Sequence, residues 1–291
     1  MSGAAELLPL LGVAFVFGLL IGSFLNVVIH RVPKGDSIVA PRSRCPGCKI
    51  AIAATDNIPV FSYLWLGGHC RHCSESISAR YPLVEFTTGL VFAAIVWSHG
   101  IGPVTVMYWI FAAGLIAAAG IDFDEQWIPD TVSLGGLLLG LALMPTAQML
   151  QGAVYADALR ESLAGALLGG GLLWSVGFLH ARISVVAGRK FDHWPGEGEA
   201  HPRVMSLDYW TWFPGLGFGD VKLMAMVGAF LGPAGVLQTI VLAAFVGLVV
   251  GLVALAGRSD AGQPFGFGPA IAVAALAGAI VPVANFFGAV S

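Results

Sequence analysis

The stretch PVTVMYWIFAAGLIAAAGIDFDEQWIPD, residues 103–130, carries no charge from Pro103 to Ile121 and then the carboxylates Asp122, Asp124, Glu125 and Asp130. A hydrocarbon slab about 30 Å thick needs roughly 20 apolar helical residues, so this reads as a membrane helix whose acidic end emerges on one side. Further apolar runs lie at about 7–30, 81–98, 131–147, 161–181, 221–232, 234–257 and 266–288. The 291 residues are 57% hydrophobic and 11% charged, with mean hydropathy +0.84, against roughly 25% charged in a soluble domain. A soluble globule is excluded. The expectation is an all-α polytopic membrane protein of about eight transmembrane helices, or seven if the short run 221–232 does not cross. The lipid bilayer is then its main surroundings, and the net charge of −3 gives no reason to invoke nucleic acid. The glycine-rich stretches 135–140 and 165–171 read as faces where helix backbones approach closely.

Sidedness follows from the placement of Lys and Arg. Of 14 such residues, Arg31, Lys34, Arg42, Arg44, Lys49, Arg71 and Arg80 lie in the first polar segment, which the positive-inside rule makes cytoplasmic. Alternation then places 122–130, 182–220 and 258–265 on the same side, with Arg182, Arg189, Lys190, Arg203 and Arg258, and leaves Arg160 outside. The N-terminus has Glu6 and no basic residue before Arg31, so the first span is expected to be retained rather than cleaved as a signal peptide. Three regions result: a first helix in 1–30, a polar module in 31–80, and a membrane-embedded core in 81–291 that includes a polar loop at 182–216. That loop ends in the aromatic run Tyr209-Trp-Thr-Trp212-Phe213-Pro214, suited to the headgroup level.

All four cysteines fall in the module, as Cys45-Pro-Gly-Cys48 and Cys70-Arg-His-Cys73. Paired CxxC knuckles at this separation are the ligand pattern of a tetrahedral zinc site. On the cytoplasmic side thiols stay reduced, which favours metal over disulfides or redox thiols. So small a module cannot bury an adequate core, and a bound ion would supply folding free energy. Four thiolates leave no open coordination position, so the zinc is structural. His69 and His72 read as exposed loop residues, with a ligand role as the alternative.

Ionisable groups at the ends of membrane helices are costly and mark function by default. The span 103–121 delivers Asp122 to the cytoplasmic side, and Gly217-Phe-Gly-Asp220-Val-Lys222 starts the next candidate helix from that side. Two carboxylates in one site do not both ionise easily, so one holds a proton while the other acts as a base toward water. Gly217 and Gly219 lack a Cβ and would let a substrate strand approach beside the acid. Against this, an Asp at a helix start is often only a cap. Lys222 reads as snorkelling to the interface or biasing the acid pair. Asn26 and Glu85 read either as helix-to-helix hydrogen-bonding groups or as lining of a substrate site.

Together these motifs resemble the bacterial type IV prepilin peptidases. The resemblance is carried, in order, by Gly22-Ser-Phe-Leu-Asn26-Val-Val-Ile-His-Arg31-Val-Pro33, by Arg44-Cys-Pro-Gly-Cys48, by Asn57-Ile-Pro59, by the second CxxC and by Arg80-Tyr-Pro-Leu-Val-Glu85. Asp122 with Ile128-Pro129-Asp130, and Gly217 to Lys222, complete it. It implies an aspartic endopeptidase of the bacterial inner membrane with Asp122 and Asp220 as the catalytic acids. Asp122 is chosen over Asp124 because it stands eight residues before Asp130, as in the family's first motif. The implied substrates are prepilins or type II secretion pseudopilins, cut after a Gly between a short basic leader and a hydrophobic helix. Many members with the cysteine module also N-methylate the new N-terminus with S-adenosylmethionine. The stretch 183–216 is longer than the family's, and His69 and His72 beside the second knuckle keep the ligand set open. A proton-coupled transporter using the paired acids and a non-catalytic scaffold of a pilus or secretion machine are the competing readings.

Overall fold

The computed structural model describes residues 2–189, 191, 194, 202–256 and 266–281. Lys190, Arg258 and the end of the expected run 266–288 lie outside the described residues. The described chain is helical: α1 Ser2–Arg31, α2 Phe61–Trp65, α3 Arg80–His99, α4 Pro103–Glu125, α5 Asp130–Met149, α6 Tyr155–Val186, α7 Leu207–Thr211, α8 Phe218–Ala256 and α9 Gly268–Ile280. Among the described residues six of these helices are long and apolar enough to cross a membrane, and α9 is a shorter apolar helix.

Local chemistry sets the boundaries. Pro103 opens α4, where its missing N–H costs nothing. Gln126, in the left-handed region at φ 54, closes α4 and returns its N–H to the Asp122 carbonyl. The α4 helix therefore continues past the expected 121 and carries Asp122 within its last turn. Inside α8, Gly232 takes φ 68 and ψ −177, and Pro233 follows. Contacts show that the chain reverses there. Leu231 and Gln238 both meet Gly278 near one end of α9, while Gly247 meets Phe267 at the other end. The apolar runs 221–232 and 234–257 are thus the two legs of a helical hairpin.

The legs of α8 are held by backbone contact. A Cβ at Gly165 of α6 would strike the Gly228 carbonyl, and one at Gly228 would strike that of Gly165. Gly169 sits against Met224, and Gly136 and Gly140 of α5 against Met226 and Phe230. Both glycine-rich stretches are therefore packing faces, as expected. The central core joins Phe111, Leu115 and Ala118 of α4 to Leu223, Met224, Val227 and Phe230 of α8. A second seam runs between α1 and α3, where Gly18 faces Gly89 and Thr88.

Candidate active site

The buried face of α4 runs Phe111, Leu115, Ala118, Asp122, and that of α8 runs Asp220, Leu223, Val227, Phe230. Both are stripes at helical spacing, and in each the polar end member is an aspartate. Phe111 and Phe230 stack with centroids 4.6 Å apart. From that rung the two helices run back to back toward the same end, Asp122 lying about 16 Å along and Asp220 about 15 Å at about 1.5 Å per residue. The stacked rings thus set the register that puts both carboxylates at one depth. They are 5% and 7% exposed and within electrostatic reach of each other.

Each carboxylate also meets the start of a helix. Asp220 lies in the first turn of α8, and its N–H returns to the Gly217 carbonyl at 3.1 Å. Asp122 sits near the C-terminus of its own helix, where the dipole disfavours an anion, but its Oδ2 accepts the Gly268 N–H at 3.1 Å from the first turn of α9. Gly266 and Gly268 both lie where a Cβ would run into the Asp122 carboxylate, and Gly219 stands 3.3 Å, measured from a Cβ, from Ile128. Gly266-Phe267-Gly268 was not singled out in the sequence. The signal was present, because the tripeptide repeats Gly217-Phe218-Gly219 and each copy abuts one aspartate.

The remaining acids are engaged elsewhere. Asp124 pairs with Arg80, which also donates to the Gly120 carbonyl at 2.7 Å and so pins the α4 end to α3. Asp130 pairs with Lys222, whose ammonium also lies over the Phe218 ring. Lys222 therefore ties the first turn of α8 to that of α5 rather than reaching freely for the interface. Among the described residues neither Asp122 nor Asp220 has a cationic partner. Asn26 donates to the Tyr81 carbonyl at 3.1 Å, and Glu85 accepts the Val60 N–H at 2.7 Å. Both belong to the joint between α1, α3 and the cysteine module, and the structure does not bring them to the acid pair.

The module is built as two matching knuckles. Cys45 N–H bonds the Ile50 carbonyl and Cys70 N–H the Glu75 carbonyl, while Lys49 and Ser74 return to the carbonyls of Cys45 and Cys70. Lys49 and Ser74 share the left-handed conformation, at φ 62 and 56, and the bridges Arg44 with Ala51 and His69 with Ser76 close both loops. The four Sγ atoms lie within 4.8 Å of one another, Cys45 and Cys73 at 3.6 Å. A tetrahedron with metal–sulfur bonds of about 2.3 Å has edges of about 3.8 Å, so the donor set fits a zinc ion. His69 instead turns its Nδ1 to the Gly67 carbonyl. Arg71 holds Asp56 by a two-pronged ion pair, which keeps that carboxyl below its usual range.

The described part of 182–216 caps the same end of α6. The Arg182 guanidinium lies 3.8 Å from the Tyr209 ring centroid and donates to its carbonyl. Trp174 and Trp194 donate to the carbonyls of Trp210 and Trp212, and Phe213 packs over Gly177. The aromatic run therefore anchors the strand entering Gly217 to α6.

Comparison with known proteins places this arrangement. The model of the bacterial peptidase A24 N-terminal domain matches residues 16–99, and that of the type IV leader peptidase family matches residues 109–252. A prepilin leader peptidase/N-methyltransferase of Stutzerimonas stutzeri is 35% identical, over 90% of this chain and 87% of its own. Its namesake in Pseudomonas aeruginosa is 34% identical, over 89% and 86%. That of Myxococcus xanthus is 39% identical, over 85% of this chain and 64% of its own. No solved structure matches the chain.

Proposed function

Since the chain belongs to the type IV leader peptidase family, we propose that Asp122 and Asp220 cut prepilin or pseudopilin precursors between a short basic leader and a hydrophobic helix. The observation that carries this reading is the register that buries two unpaired aspartates at one depth while Asp124 and Asp130 are spent on ion pairs. One acid takes a proton from water as its oxygen bonds the scissile carbonyl carbon. The other donates a proton to the leaving nitrogen as the carbon–nitrogen bond breaks. The products are a leader carboxylate and a free amine on the apolar helix. Gly217, Gly219, Gly266 and Gly268 add no side chain of their own beside the pair. Asp122→Asn or Asp220→Asn should abolish cleavage of a co-expressed precursor while membrane insertion persists; full cleavage by either variant would sink the assignment.

The basic residues of the module sit at the end of α1, so the positive-inside rule makes the aspartate end cytoplasmic in the bacterial inner membrane. Counting the two legs of α8 separately and α9 as a crossing gives eight spans. Cys45, Cys48, Cys70 and Cys73 hold a structural zinc ion that locks the two knuckles together. The relatives' second named activity, N-methyl transfer, extends to this chain with S-adenosylmethionine as donor: its sulfonium supplies a methyl group to the newly freed amine. The chain's own residues contribute by holding the donor and the product end at the same membrane face.

A further inference from the structure

From Asn57 to Gly68 the cysteine module runs NIPVFSYLWLGG, without a charged residue. Within this stretch α2 has no buried residue. Phe61, Leu64 and Trp65 share one face at helical spacing and are 57%, 70% and 73% exposed. The Phe61 and Trp65 rings stack with centroids 6.0 Å apart, while Ser62 and Tyr63 turn the other way, into the space between the module and the ends of α1 and α3. An uncovered apolar face of this kind marks a contact with protein or membrane. We propose that it is inserted in the cytoplasmic leaflet, so that the module rests on the bilayer through α2 and the occupant of the face is phospholipid.

Depth selects lipid over a soluble partner. The Val60 N–H, just before α2, donates to the Glu85 carboxylate at 2.7 Å. Glu85 lies five residues past Arg80 in α3, about 7.5 Å along the helix at about 1.5 Å per residue. A Cβ at Gly22 of α1 would strike the Glu85 backbone, and Gly22 stands nine residues before Arg31, about 14 Å along that helix. A glutamate side chain leaning back toward the start of its helix recovers only part of this depth. The start of α2 is therefore pinned on the membrane side of Arg31 and Arg80, basic residues suited to the headgroup level. The turn that aims it is a costly one. Val60 is β-branched yet sits at φ 60 and ψ −48, and the Phe61 N–H returns to the Pro59 carbonyl at 2.6 Å. Such three-residue turns are rare and strained and persist only where their surroundings hold them, here through the Glu85 bond. Near the same depth α3 itself turns Leu83, Phe86 and Leu90 outward, one apolar stripe at helical spacing. At this level the outer surface of the span faces lipid as well, and a soluble partner could reach α2 only by displacing it.

The test uses the zinc-loaded full-length protein in nanodiscs of phosphatidylethanolamine and phosphatidylglycerol. Trp65 is one of eight tryptophans, so the difference in emission between wild type and Trp65→Phe isolates its signal. A face sunk about 5–10 Å into the boundary of headgroups and acyl chains comes within reach of bromine near the top of those chains. Brominated lipids should therefore lower the Trp65 signal about twofold or more, and aqueous iodide should leave it nearly unchanged. Quenching by iodide without quenching by brominated lipid overturns the proposal. In a second variant, benzoylphenylalanine in place of Leu64 is irradiated in the same nanodiscs and should yield a phospholipid adduct by mass spectrometry. A cross-link mainly to a second copy of the chain, a cross-link mainly to an added prepilin, or no adduct at all each refutes lipid as the occupant. The two readouts come from different variants, so misfolding of one leaves the other to decide.

Discussion

Gly268→Ala is the sharpest perturbation the site offers. The backbone there lies outside the left-handed region, so alanine brings no conformational strain of its own. Its Cβ would stand 2.6 Å from Asp122 Oδ2 and 3.2 Å from Ile128 Cδ1, where ordinary contact begins at 3.4 Å. The carboxylate is the freer neighbour and must retreat by about 0.8 Å, stretching the 3.1 Å bond from the Gly268 N–H. Displacing a reacting group by about 1 Å costs on the order of 100-fold in rate. Cleavage of a detergent-solubilised precursor, followed by mass spectrometry of the product N-terminus under saturating substrate, should therefore show kcat down by about two orders of magnitude. KM, zinc content and the thermal midpoint should change little, because the added methyl meets the site and not the core. Wild-type turnover by Gly268→Ala would refute the claim that this glycine is there to make room for Asp122.

Replacing Cys45 and Cys48 by Ser should remove about one zinc per chain, read by metal analysis of purified protein, and expose the loop between Arg42 and Ser78 to proteolysis. Gly232→Ala forces a side chain into the positive-φ conformation inside α8, at φ 68 and ψ −177, and a cost of about 1–3 kcal/mol should appear as a lower thermal midpoint; an unchanged midpoint would mean that the reversal is not strained. In the module, Asp56 is held below its usual carboxyl range by Arg71. Its contribution is therefore present above about pH 4 and is lost as the pH falls through its folded value, so Asp56→Asn should flatten the acid limb of module stability measured by limited proteolysis.

Much of this was legible in the residues because membrane chemistry writes large. Runs of apolar residues located the helices, and the motif spacing of the resemblance preferred Asp122 to Asp124, whose carboxylate in the fold pairs with Arg80. What was not legible depended on contacts between distant segments. The companionship of Gly266 and Gly268 with Asp122 joins residues more than 140 positions apart, and no periodicity encodes it. Asn26 and Glu85 were visible as costly polar groups within membrane helices, but their partners, Tyr81 and Val60, could be known only once the module was seated. The aromatic run at 209–213 suited a headgroup belt equally well, and only its packing on α6 shows that it steadies the entry to Gly217.

The reversal at Gly232 also bears on the lipid. In the eight-span arrangement the first leg of α8, residues 218–231, covers about 21 Å at about 1.5 Å per residue, against a hydrocarbon thickness of about 30 Å. Bilayer thinning is one way to meet such a shortfall. Asp220 stands at the foot of that short leg, so in the proposed arrangement thinning there would bring the water surface toward the acid pair. A precursor whose cleavage point lies just above its apolar helix can then reach the site while that helix stays in the membrane, and the enzyme avoids the hydrophobic cost of drawing its substrate out.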